Sequence, residues 1–128
     1  MNNETSEVEV YVKAADFGKI ISILSNKIGP LKSDESPIED IGIYEFENVS
    51  VVLRSVYDEL ISVWVRGSLL WPSCPALGRL LAKELDCIVI CDPEKEFPDV
   101  SPYSDIFLEI DGNNERLISW EEFETPQS

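Results

Sequence analysis

The sequence predicts a single α+β domain over residues 1–128: a mainly antiparallel sheet of about seven strands with two helices, in the order β-α-β-β-β-α-β-β-β. Three observations carry this. Several segments alternate strictly between apolar and polar residues, the signature of half-buried strands. Two segments carry apolar residues at helical spacing between recognisable start and stop signals. Two pairs of strand-like segments are separated by only a few turn-forming residues, as hairpins require.

EVEVYVKA opens the pattern, with Val8, Val10 and Val12 on one side and Glu7, Glu9, Tyr11 and Lys13 on the other. The first helix follows, with Asp16 as its N-cap and Phe17, Ile20, Ile21, Leu24 and Ile28 as its stripe. Gly29 and Pro30 end it. LKSDESPIED, Leu31–Asp40, is polar and reads as a loop. Ile41–Phe46 and Val49–Val56 form a hairpin across Glu47 and Asn48. Tyr57–Glu59 is the next turn, and Leu60–Gly67 is a strand with Ile61, Val63 and Val65 on one face.

The second helix spans Cys74–Asp86, with Ser73 as N-cap and Pro75 in the first turn; Leu77, Leu80, Leu81 and Leu85 make its stripe. Cys87–Cys91 is short, apolar and β-branched, a buried strand. Asp105–Ile110 and Glu115–Trp120 form the last hairpin, around DGNN. Residues 1–6 and 122–128 are expected to fray. Val10–Lys13 and Val63–Arg66 share a pattern, as do Gly18–Ile21 and Gly78–Leu81, so a pair of βαββ units is one reading. Independent amphipathic elements with one buried face are the other.

Charge narrows the function. The net charge is −15, and residues 84–128 hold thirteen acids against two bases. That field repels nucleic acid and anionic membrane and speeds the arrival of cationic proteins. The chain has no histidine, which removes the commonest general base and metal ligand. Ser-His-Asp and Cys-His catalysis are excluded. Three cysteines, Cys74, Cys87 and Cys91, do not make a disulfide scaffold and fit a reducing compartment, so the cytosol is the expected location. No secretory signal or transmembrane stretch is legible. The cysteines are too few for a zinc site without histidine, so no metal or other cofactor is expected. Cys87 and Cys91 read as buried small hydrophobes. Cys74, at a helix N-terminus, is placed to be a reactive thiol.

The candidate site is the connection CDPEKEFPDVSPYSD, Cys91–Asp105, and the strand after it. Pro93, Pro98 and Pro102 stiffen the connection, and a stiff loop loses less entropy on docking. Asp92, Glu94, Glu96, Asp99, Asp105, Glu109 and Asp111 supply carboxylates; Phe97 and Tyr103 supply apolar footholds. The carboxylates lack the offsets of a calcium loop. Trp71, between Leu70 and Pro72 in a loop, is the tryptophan expected to be exposed. Trp64, whose neighbours alternate with the core face, reads as a structural residue rather than an interface anchor. An ordinary surface connection packed on the sheet is the competing account of the whole segment. Gly18 and Gly78, inside helices, read as sites of close helix–sheet packing.

Small size, acidity, a mixed α/β composition and the lack of a catalytic set together resemble bacterial immunity proteins of contact-dependent or polymorphic toxin systems. The resemblance is one of overall character and rests on no signature motif. It implies a chain with no chemistry of its own. Its partner would be a cognate toxin domain, commonly a basic nuclease. Asp92–Asp111 would then stand in for substrate phosphates, and Trp71, Phe97 and Tyr103 would give the central apolar contacts. Acidic secretion chaperones are similar in size and charge. The paired-unit reading resembles the vicinal-oxygen-chelate superfamily, whose histidine ligands this chain lacks.

Overall fold

A computed structural model of the chain describes residues 7–13, 16–34, 40–57, 59–67, 70–94, 97–101 and 104–119, with side chains 34 and 57 left out. Over the described residues the architecture is α+β, with two helices and one antiparallel sheet of eight strands. The elements run β1 (Glu7–Lys13), α1 (Phe17–Ile28), β2 (Lys32–Asp34), β3 (Ile41–Phe46), β4 (Val49–Tyr57), β5 (Leu60–Arg66), α2 (Cys74–Leu85), β6 (Ile88–Cys91), β7 (Ile106–Asp111) and β8 (Asn114–Ser119). The sheet order is β2-β3-β4-β5-β1-β6-β7-β8.

β1 therefore lies at the centre, antiparallel to β5 on one side and to β6 on the other. Val8, Val10 and Val12 point to one face, where they pair with Val65, Val63 and Ile61 of β5. Both helices cover that face. Ile20 and Leu24 of α1 and Leu77 and Leu81 of α2 join Val10, Val63, Val89 and Leu108 in one buried core. Asp16 caps α1 by accepting from the Lys19 amide, and Ser73 caps α2 by accepting from the Ala76 amide, as the sequence predicts. Gly78 allows α2 to sit close to the sheet. A Cβ there would lie 2.9 Å from Ile110 Cδ1 and 3.4 Å from Val89 Cγ1. Gly18 has no such role; a Cβ there would meet only the Asp16 side chain.

Three expectations change. The polar stretch after α1 contains an extra strand, β2, which pairs Lys32–Asp34 with Ile43–Glu45 at the sheet edge. An edge strand with one neighbour needs little apolar character, so alternation does not reveal it. The two halves repeat the order of elements, but they do not form two units side by side. β2-β3-β4 run from one edge inward to β5, whereas β6-β7-β8 run outward from β1. The Val10–Lys13 and Val63–Arg66 echo marks the two central strands, whose Val10 and Val63 are direct cross-strand partners. Third, Trp71 is buried, only 7% exposed, and belongs to the core; its neighbour Leu70, at 54%, is the exposed residue of that loop. Trp71 lies two residues before Ser73, the N-cap of α2, and joins the core that α2 forms with the sheet.

Candidate functional site

The site arises from a mismatch in strand length at the centre of the sheet. β6 stops at Cys91, opposite Val10 on one side and Leu108 on the other. β1 continues past that rung as Glu9, Val8 and Glu7, and β7 continues as Phe107 and Ile106. Strands two places apart are separated by roughly 9–10 Å. The early end of β6 thus leaves a slot about one strand wide, open to the face without helices. A cavity of about 310 Å³ occupies this place, lined by Glu7, Val8, Glu9, Tyr11, Trp64, Cys74, Asp92, Glu94 and Phe107.

Four of those residues are carboxylates and three are aromatic. Each carboxylate is held by a hydrogen bond. Trp64 Nε1 donates to Glu7 Oε1 at 3.0 Å, and Ser62 Oγ donates to Glu9 Oε2 at 2.5 Å. The Glu94 amide donates to Asp92 Oδ1 at 2.7 Å, and the Cys74 amide donates to Glu94 Oε2 at 3.2 Å. Glu94 itself sits in the left-handed region at φ 52°. No lysine or arginine among the described residues lines the cavity. Among the described residues, no lysine or arginine pairs with any of the four: the ion pairs are Arg79–Glu115 and Arg116–Glu109, both at 2.7 Å. The result is a fixed group of negative charge against aromatic walls, with the partners of the carboxylates neutral.

The sequence-predicted residues divide. Asp92 and Glu94 are exposed and line the slot. Asp99 and Asp105 are exposed but are not part of its lining. Phe97 is half-buried against the core, so it anchors the connection rather than presenting itself. Glu109 lies on the face without helices, engaged by Arg116 Nε. Asp111 pairs with Asn114 at the far end of β7, beside the start of β6. Glu96 and Tyr103 lie outside the described residues. Of the predicted acids that are described, Asp92 and Glu94 line the slot, and Asp99, Asp105, Glu109 and Asp111 do not. The first two meet Glu7 and Glu9, which come from the other end of the chain. The sequence places Glu7, Glu9 and Tyr11 on one face without revealing a site there, and gives Trp64 a structural role rather than an interface one. Trp64 is half-buried on the face opposite the helices, across from Glu9, and lines the slot.

The cysteines are all free, and among the described residues no group of His, Cys, Asp and Glu is placed to hold a metal. Cys74 is no activated thiol. Burial, the Glu94 carboxylate and Asp92 push its pKa up to about 12, outweighing the hydrogen bond from the Glu9 amide at 3.5 Å. Burial raises Cys91 as well, and burial with Asp86 pushes Cys87 up to about 11. At pH 8 a thiol of pKa about 12 is thiolate in roughly one molecule in ten thousand. Aromatic disulfide reagents are therefore expected to leave Cys74 and Cys91 unlabelled in the native chain, and to label all three cysteines in denaturant. Rapid native labelling of Cys74 would contradict this account of the cavity floor. No known protein family, curated protein or solved structure matches the chain.

No helix among the described residues is long and apolar enough to cross a membrane.

Proposed function

We propose that this chain is a binding protein that docks a basic protein partner at the slot beside β6 and does no chemistry of its own. The observation that carries the reading is the cavity: four carboxylates and three aromatics, with no cation among the described residues that line it. Carboxylates without counter-charges are costly to gather, because each repels the others. Hydrogen bonds from Trp64, Ser62 and two backbone amides hold them in place, so a cationic partner meets a site already organised. The wider charge of −15 adds long-range attraction and disfavours nucleic acid or anionic lipid as the partner. Aromatic side chains are the residues that most often anchor protein interfaces.

Within that class, the resemblance to immunity proteins favours inhibition of a cognate basic toxin domain, with the carboxylates of the slot occupying the place of substrate phosphates. The test is genetic and biochemical together. The reading frame adjacent to this gene would be expressed alone and with this chain. Expected are toxicity alone, rescue by the chain, and a stable complex after purification. An adjacent product that is harmless and does not bind, with no rescue of any toxin domain encoded nearby, would sink the immunity reading.

A further inference from the structure

Resting on the proposal that the partner is a basic protein, we infer that the slot is a socket for one arginine side chain of that partner. The argument comes from the shape of the cavity as well as its charge. A slot left where one strand stops before its two neighbours is about one strand wide, roughly 9–10 Å between the flanking backbones. Its volume of about 310 Å³ suits one long side chain and excludes a folded element. Its aromatic lining comes from the flanking strands β1 and β7 and from β5 beyond β1: Tyr11, Phe107 and Trp64. Glu7, Glu9, Asp92 and Glu94 complete the lining with Val8 and Cys74.

A guanidinium is planar, weakly hydrated and stacks on aromatic faces, while its fork of donors meets carboxylates edge-on. A lysine ammonium is a strongly hydrated point charge and gains less from the aromatic walls. The carboxylates already accept one hydrogen bond each, and each ionised carboxyl has further acceptor sites for an incoming donor. Both chemical features of the slot, aromatic lining and carboxylates, thus select the same group.

The experiment titrates the whole chain, at low ionic strength, with the amides of N-acetyl-arginine, N-acetyl-lysine and N-acetyl-citrulline. The indole N–H signal of Trp64, assigned through Trp64→Phe, and the backbone amides of Glu9 and Phe107 report occupancy by nuclear magnetic resonance. The arginine amide is expected to shift these signals saturably, with a dissociation constant in the millimolar range. It should bind at least about fivefold more tightly than the lysine amide, and the neutral citrulline amide should leave them unmoved. Glu94→Gln and Glu7→Gln should each weaken the arginine response severalfold without unfolding the chain.

Equal response to arginine and citrulline, or to arginine and lysine, would overturn the socket. So would saturable shifts confined to Asp99 or Asp105, or shifts of the three reporters produced by raising the chain's own concentration while arginine does nothing. If the socket fails while the adjacent gene's toxin domain still binds, the inference falls and the proposed function stands. If that domain does not bind either, both fall.

Discussion

Reversing two charges in the slot, Glu9→Lys with Glu94→Lys, is expected to weaken binding of a basic partner on the order of a thousandfold. Losing one partner of a desolvated charge pair costs about 2–5 kcal/mol, and reversal adds repulsion to the loss. Both residues also hold local structure. Glu9 accepts from the buried Ser62 hydroxyl, and Glu94 accepts from the Cys74 amide at the start of α2. The neutral pair Glu9→Gln and Glu94→Gln is therefore the control. Glutamine keeps an acceptor oxygen for both hydrogen bonds and removes only the charge, so it should preserve the melting temperature and weaken binding about tenfold. Calorimetric titration across salt concentrations separates the contributions. The native chain should lose affinity as salt rises, and the neutral variant should lose it less steeply. The opposite result, in which the double reversal binds as tightly as the native chain, would move the interface elsewhere. The best alternative surface would then be Asp99 and Asp105, which are exposed outside the cavity.

Arg79 and Glu115 form the most regular surface ion pair, through Nε at 2.7 Å and a second guanidinium nitrogen at 3.0 Å. Arg79 beside it holds the Glu115 carboxyl below its ordinary pKa. A lowered carboxyl contributes stability above its unfolded-state pKa and loses it as pH falls through its folded-state pKa. Both side chains remain partly solvated, and solvent screening keeps the contribution small. Acid unfolding of this chain should therefore not be governed by that pair.

Much of the fold was legible because it follows from local pattern. The alternation in Glu7–Lys13 assigns Val8, Val10 and Val12 to the core, and all three are buried. Asp16 and Ser73 mark helix starts through a hydrogen bond spanning three residues, which a sequence displays directly. The slot was not legible, because it depends on register. Nothing in Cys87–Cys91 states that the strand ends opposite Val10, or that Glu7 and Glu9 will face Asp92 and Glu94, more than eighty positions away. The acids of the connection were visible as composition. Which of them face inward is decided by the turn at Glu94 and by the α2 N-terminus, whose Cys74 amide draws the Glu94 carboxylate to the slot. The face of Trp64 follows from alternation with Val63 and Val65, but its hydrogen bond to Glu7, 57 positions away, does not.

Replacing Gly67 with alanine is expected to cost about 3 kcal/mol or more of stability, and replacing Gly112 only about 1 kcal/mol. Both glycines have positive φ, 95° and 62°, and both follow or turn a strand. They differ in what a methyl group would meet. At Gly112 there is nothing within 4 Å, so only the left-handed backbone penalty applies. At Gly67 the Cβ would lie 2.3 Å from the backbone oxygen of Asn48 and 3.4 Å from Val49 Cα. The obstacle is main chain at the β3–β4 hairpin and cannot rotate away as a side chain would. Relief requires the end of β5 to separate from β4, where Ser50 pairs with Arg66. That rung also carries Glu7, the partner of Arg66 on β1, and the next rungs on the same face carry Val52, Trp64 and Glu9. The strain would therefore reach the slot through the strands that form its wall. Urea denaturation should show a midpoint for Gly67→Ala lower by about 1 M or more, for a slope of 1–3 kcal/mol per molar. The Trp64 Nε1–H signal should broaden in that variant and stay sharp in Gly112→Ala. Equal midpoints for the two variants would mean that the hairpin yields freely at Asn48, and that the wall of the slot is softer than its hydrogen bonds imply.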